Sequence, residues 1–261
     1  MEEPIVLHLA RADEETAHMQ ALVDADLIVA QATADSFSPT HLASSEVRRL
    51  FADKTIVWPN CFYSGQQPYL RYFTHPKLGR LMGPWEALHD LRLHRSWVET
   101  GRVQPDSFFE RDENFERSVS RSSFEALKER EARCDVRISD FVEEHTGTEK
   151  LFFTFNHPTS IVLEELANRV TALAGIRRDE HEVKQEPLGR YRVPSTWSDP
   201  ASLQLQGDDW SLNDDGFAQV APGLPNVFTL EQICDDFTTV YDSSPTFKTM
   251  EGVRLTPNIG L

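Results

Sequence analysis

The sequence has no apolar run approaching the ~18 residues that a membrane-spanning helix needs, which excludes a transmembrane segment. A secretory signal needs basic residues at its start. Here the chain opens MEEPIVLHLARADEE, with two acids there and only a short apolar stretch. Cysteine is scarce. Cys61, Cys134 and Cys234 are too far apart to form a CxxC zinc site or a disulfide framework, so no metal is expected. Together these gaps predict a reduced, cytoplasmic protein. Positive charge is in deficit too, with 26 Lys and Arg against 42 Asp and Glu and a net charge of -16. A general nucleic-acid binder depends on clustered bases, so that class drops out. HExxH, GxSxG, GxxxxGK[ST] and GxGxxG are all missing, which leaves metallohydrolase, serine-hydrolase and P-loop readings without support.

What is present fits a globular chain of 261 residues, long enough to bury a substantial core. Ile5–Leu9, Leu27–Ala30 and Thr55–Trp58 read as short buried strands. Between them lie a helix from about Asp13 to Val23 and a second helix, opened by Pro39, with Leu42, Val47, Leu50 and Phe51 on one face. That alternation predicts an α/β fold with a small parallel, Rossmann-like sheet. Ligands in such sheets bind beyond the carboxyl ends of the strands, here at Gln31 and Asn60. A large helical portion follows: one helix from Pro84 to Gly101 and a long one from Ser122 to Glu144. Leu151–Phe155 reads as a strand, and the helix beginning at Pro158 ends at Gly175. The expected division is residues 1–180, an α/β domain with a helical insertion, and residues 181–261, a loop-rich acidic extension packed on it. From Asp199 onward there are ten acids and two bases. Short strand character is expected near Ser202–Leu205 and a helix near Leu230–Phe237.

The richest stretch is WPNCFYSGQQPYLRYFTHPKLGR, Trp58 to Arg80. No acid occurs between Lys54 and Trp85, while Lys54, Arg71, Lys77 and Arg80 do. A basic island beside a strand end is a candidate phosphate site; a buried aromatic loop with no use for carboxylates would look the same. Cys61 sits in this island, where a positive field would favour a thiolate, although free cysteines are more often buried and inert. His157, between a strand and a helix and beside Asn156, can aim its ring into a cleft or serve the fold. His89 is expected mid-helix on the face of Trp85 and Leu93, a half-buried structural residue on spacing alone.

Five stretches then occur in a telling order: DADLIVAQATADSF, TIVWPNCFYSGQQPYL, GPWEALHDLRLHRSWVETG, SFEALKEREARCDVRISDFVEE and LFFTFNHPTSIVLEELANRV. In that order they resemble the WcbI-type polysaccharide biosynthesis proteins from about Pro4 to Gly175, with a weaker similarity over Pro187–Leu205. The resemblance implies a mixed, helix-rich fold that binds coenzyme A or acetyl-CoA. It also implies acetyl transfer to, or removal from, a capsular sugar. Members of that family begin with a strand leading to a Gly-Asn-Cys-Gln turn, whose cysteine is the nucleophile. Nothing of that kind precedes Pro4, so the expectation is either a chain that starts downstream of the turn or a member that works without it.

Carried over residue by residue, the resemblance places Gln31, Asn60, Tyr63, Gly65 and Pro68 in the cleft. It adds His89, Asn156 and His157. His89 and His157 are then the candidate catalytic bases. Gln31, Asn60, Tyr63, Ser64, Gly65 and Asn156 are candidate coenzyme contacts, with Arg71, Lys77 and Arg80 for its phosphates. Arg130, Glu131, Asp135 and Asp140 match the family's long helix and read as an internal ion-pair network. The expected function is a CoA-dependent O-acetyltransferase acting on a capsular or surface saccharide. A non-catalytic CoA- or glycan-binding module and a polysaccharide deacetylase are the alternatives.

Overall fold

Two short apolar runs begin the described part of the fold. Ile28–Gln31 (β1) and Thr55–Trp58 (β2) pair in parallel, Ile28 opposite Thr55 and Gln31 opposite Trp58. Parallel neighbours need a crossover, and Ser44–Leu50 (α2) supplies it, preceded by the 3-10 turn Thr40–Leu42. The computed structural model describes residues 10–85, 87–177, 188 and 230–257. The strands expected at Ile5–Leu9 and Ser202–Leu205 lie outside the described residues. Glu15–Asp24 (α1) packs Leu22 against Ile28, Leu42 and Val47 in a small core of its own. Lys54 closes that unit, its ammonium donating to the carbonyls of Val23 (2.8 Å) and Ala25 (2.6 Å) at the end of α1.

A second sheet is antiparallel. Leu70–His75 (β3) pairs with Gly79–Arg80 (β4), with Leu88–Asp90 (β5) and with Arg254–Thr256 (β8). Leu91–Thr100 (α3) and Leu230–Asp242 (α7) cover it, and Pro245–Thr249 (α8) completes the cover. Its core is aromatic: Trp85, Phe73, Phe237 and Tyr241 are all essentially buried. Each such ring stabilises by about 1.5–3 kcal/mol through area alone. The third cluster joins Glu113–Glu131 (α4), Ser139–His145 (α5), the hairpin of Phe152–Thr154 (β6) and His157–Pro158 (β7), and Ser160–Leu173 (α6). The mixed α/β architecture with its small parallel sheet is therefore the one the sequence predicts.

Two helical expectations change. The helix placed from Pro84 begins only at Leu91, because Leu88–Asp90 is buried on both faces and satisfies its backbone by pairing with β3. Asp90 then caps α3, accepting from Arg92 N at 2.9 Å. The long helix from Ser122 to Glu144 starts earlier, at Glu113, where Asp112 accepts from the amides of Asn114 and Phe115. It breaks after Glu131. The Glu131 carboxylate turns back to accept from Ile138 and from Ser139 (2.7 Å), and Asp135 accepts from Val57 N at 2.7 Å. The break thus starts α5 and ties the junction to β2.

Asp90 and Arg92 form a bidentate pair with only 2% and 3% of their side chains exposed. The pair of Arg95, on the same helix, with Glu110 is 56% and 54% exposed. Removing one partner of a buried pair strands the other, so Asp90→Ala is expected to cost about 3–5 kcal/mol, while Arg95→Ala costs under about 1 kcal/mol. Urea unfolding of the two variants checks this; equal losses would refute it.

Candidate functional site

Beyond Trp58 the chain enters a loop that is buried rather than exposed: Cys61 and every residue from Tyr63 to Leu70 lie in the interior. A buried loop must find partners for its backbone and its neighbours' backbone. Gln66 does this with one side chain. Its carbonyl accepts from the amides of Leu151 (2.8 Å) and Phe152 (3.1 Å), and its NH2 donates to the carbonyls of Thr146 (3.1 Å) and Glu149 (2.6 Å). Gln67 donates to Phe152 O at 2.7 Å, Tyr63 N to Phe155 O at 2.7 Å, and Ser64 N to Ser123 Oγ at 2.8 Å. Gly65 is required by close approach, since a Cβ there would stand 2.1 Å from the Tyr63 hydroxyl.

This placement explains the absence of acids. The window from Lys54 to Trp85 is a core segment, and its four cations serve different places. Lys54 caps α1. Arg71 is buried, its guanidinium donating to the carbonyls of Pro68 (2.8 Å) and Leu70 (2.6 Å), and burial lowers its pKa to about 10. Lys77 and Arg80 are exposed at the β3–β4 turn, with Arg80 lying 4.3 Å over the Tyr72 ring. The window does not form one phosphate site.

A cleft of about 670 Å³ does open at the carboxyl ends of β1 and β2, between Ala32, α2 and α4. Gln31 ends β1 just before its wall, and Asn60 lines it. Three arginines border it. Arg130 donates to the carbonyls of Asn60 and Phe62, Arg48 to Arg133 O and Asp135, and Arg133 lies 3.7 Å from Asp35 and is 81% exposed. On the wall Thr33 and Ser44 hold each other, Ser44 N donating to Thr33 Oγ1 (2.8 Å) and Thr33 N to Ser44 Oγ (3.0 Å). Tyr63 does not join Asn60 here; it lines a different cleft, on the far side of α4. The arginines had a faint signal in sequence, because charges on a helix surface ordinarily read as a solvated face.

The Asn156–His157 hairpin lies beside the same loop. Asn156 accepts from Thr154 Oγ1 (3.0 Å) and donates to the Tyr72 hydroxyl (3.2 Å), which brings it to the ring under Arg80. Phe155 packs between Phe62, tilted at 41°, and Tyr72, edge-on at 81°, with ring centroids 4.8 and 4.9 Å away. Phe62 in turn lies under Arg130, 5.8 Å from its guanidinium. His157 is half-buried at the start of β7.

His89 is placed differently from expectation. It belongs to a strand, not a helix, and none of its surface is exposed. Its ring stacks on Phe73 at 4.4 Å, Nε2 meets Leu81 O at 2.9 Å, and Nδ1 lies 3.4 Å from the Tyr241 hydroxyl. A group sealed in this way has no face toward a substrate. The thiols of Cys61 and Cys234 are also buried, and that of Cys134 is half-buried. Burial pushes Cys61 up to about 12, Cys134 to about 11 and Cys234 to about 12, so none is poised as a thiolate. The four acid and base residues expected to form a network do so mainly with backbone and with Arg48 and Arg169. Among the described residues no three His, Cys, Asp or Glu side chains are placed to hold a metal, and no helix is long and apolar enough to cross a membrane.

The architecture is that of a solved α/β protein described as WcbI, a novel polysaccharide biosynthesis enzyme, in native form without a disulfide bond between coenzyme A and one of its cysteines. The superposition has a TM-score of 0.66 at 14% identity and covers 94% of this chain and 82% of that one. Comparison with curated protein sequences gives no match. The WcbI polysaccharide biosynthesis enzyme family matches residues 2–179, and the chain belongs to that family.

Burial lowers the His89 pKa from 6.5 to about 4, against the pull of its bond to Leu81 O. Between these values the unfolded chain binds the proton and the folded chain does not. Stability therefore falls as pH drops from 6.5 to 4, by about 3 kcal/mol from this group, and the loss is complete below 4. The His89 ring resonances should stay at their neutral positions down to about pH 5 in an NMR titration. Titration near 6.5 would show that the ring reaches solvent.

Proposed function

We propose that this protein is a coenzyme A-dependent O-acetyltransferase acting on a sugar of a bacterial capsular or surface polysaccharide. The observation that carries the reading is the arginine-bordered cleft at the carboxyl ends of two parallel strands, in a chain that is otherwise strongly acidic. Family membership supports the polysaccharide context, and the mention of coenzyme A for the structural neighbour supports the donor. The donor set fits a nucleotide with phosphates: Arg130 and Arg133 can offer N–H groups to phosphate oxygens, Arg48 backs them, and Asn60 adds an amide. Gln31 stands at the strand end behind them. Acetyl-CoA bound there would supply the acetyl group as an activated thioester, with coenzyme A leaving as the free thiol.

The rest falls to the chain's own groups. With His89 sealed in the core, His157 is the candidate base, taking the proton of the acceptor hydroxyl at a ring nitrogen. Asn156 orients the hairpin tip through Thr154 and Tyr72. The raised thiol pKa values of all three cysteines favour direct transfer to the sugar over an acyl-cysteine step through any of them. Tyr63, Ser64, Gly65 and Arg71 then act by building the buried loop. Lys77 and Arg80, exposed at the β3–β4 turn with Arg80 over the Tyr72 ring that Asn156 meets, are the second seat for phosphate.

Calorimetry separates the two seats. Arg133→Glu is expected to weaken coenzyme A binding about tenfold, and wild-type binding to weaken as salt rises. The double change Lys77→Glu, Arg80→Glu should do little; the reverse pattern would move the coenzyme to the hairpin, and no binding at low salt would end the reading. His157→Gln should cut acetyl transfer about 100-fold or more while leaving coenzyme affinity and melting temperature nearly unchanged. A stable His157→Gln protein with full turnover would remove this residue from the mechanism.

A further inference from the structure

On the other side of α4 lies a cleft of about 430 Å³ that the coenzyme reading does not use. Three hydroxyls from three elements meet on its floor. Tyr63 Oη lies 3.0 Å from Ser120 Oγ of α4 and 3.4 Å from Thr146 Oγ1, the residue that ends α5. Hydroxyls both donate and accept, so this floor adapts to either sense of partner. The backbone under it is built for the purpose of holding that ring, since Gly65 leaves no room for a Cβ beside the Tyr63 hydroxyl.

The walls carry both signs in equal number. Arg111, Arg117 and Arg121 face Glu113, Glu116 and Glu143. Two of the arginines are already engaged: Arg111 with Glu116 at 2.6 Å, and Arg117 with Glu113 at 3.5 Å. Arg121 and Glu143 are exposed and make no hydrogen bond or ion pair among the described residues. Phe124 adds an apolar wall. A polyanion gains nothing from a balanced set of charges, and an apolar ligand would leave Arg121 and Glu143 without partners. A neutral polyol suits it: its hydroxyls can take donors from Arg121, acceptors from Glu143 and either from the floor, with carbon-bound hydrogens against Phe124.

From this juxtaposition we infer that the cleft between α4 and α5 is a binding subsite for a neutral saccharide. The inference gives the acceptor of the proposed transferase a second point of attachment, and it rests on that reading only for its place in the reaction; saccharide binding itself needs no coenzyme A.

Saturation-transfer NMR with methyl α-glucoside, methyl α-galactoside and methyl α-mannoside tests it on the full chain. At least one should receive saturation, at low and high salt alike, with the millimolar affinity usual for a single sugar. The double variant Arg121→Ala, Glu143→Gln changes only exposed groups and should weaken that binding about tenfold while leaving the melting temperature and coenzyme A calorimetry unchanged. Ser120→Ala, which removes one floor hydroxyl, should weaken it as well. No saturation transfer to any of the three from folded protein would overturn the inference. So would undiminished binding to the double variant, or displacement of the glycoside by inorganic phosphate in a salt-dependent manner. Coenzyme A titrated into the same samples keeps the two readings apart: sugar binding without coenzyme binding would sink the transferase and leave this subsite standing.

Discussion

The rest of the structure depends on burying a loop. Between Trp58 and β3 the chain crosses the interior without joining a sheet, and each peptide group it passes would cost free energy if left unpaired. The Gln66 amide meets that demand by acting as a short piece of extra backbone, with both its donors and its acceptor engaged by residues 146–152. A carboxylate could accept from Leu151 and Phe152 but could not donate to Thr146 and Glu149. It would also be a buried charge. The loop therefore needs neutral amides, and with α4 against one side and the β6–β7 hairpin against the other it sets where both clefts open.

Acids are used just as specifically elsewhere. Asp90, Asp112 and Glu131 each accept from backbone amides at the start of a helix, and Asp135 reaches across to β2. Two of these carboxylates also hold an arginine, Asp90 that of Arg92 in the helix it caps and Asp135 that of Arg48. In a chain of net charge -16 this places part of the negative charge where helix ends welcome it.

These uses mark the limit of what could be read beforehand. The β1–α2–β2 unit was legible, because its strands are continuous apolar runs and Pro39 and Pro59 punctuate them. The α6 helix was legible for the same reason, ended by Gly175 at φ 65°, although it begins at Ser160 rather than at Pro158, which pairs in β7. Leu-His-Asp at residues 88–90 was not, since three residues carry no period and the amphipathic helix behind them absorbs them into its pattern. Nor was the break after Glu131. Nothing in that stretch disfavours a helix locally; the interruption comes from carboxylates whose partners, Val57 and Arg48, lie some eighty residues away. The same blindness applies to the site. Asn60 and Gln31 followed from topology, whereas the roles of Arg130 and Arg133 depend on which face of α4 the buried loop occupies.

That face also divides the chemistry. Three thiols and the histidine of the Leu-His-Asp strand lie where burial penalises the charged form of each. What remains near the surface is sorted by α4. Arg48, Arg130 and Arg133, with Asp35 and Glu129, gather toward β1 and β2, and a balanced set of arginines, glutamates and hydroxyls gathers toward α5. One helix bearing two electrostatically distinct clefts, with the Asn156–His157 hairpin packed against the loop beneath it, is an arrangement suited to holding two unlike molecules at once. A charged donor and an uncharged acceptor are such a pair. Under the proposed reading, transfer that does not pass through Cys61, Cys134 or Cys234 requires donor and acceptor to be held in one complex, which two clefts on one helix would allow.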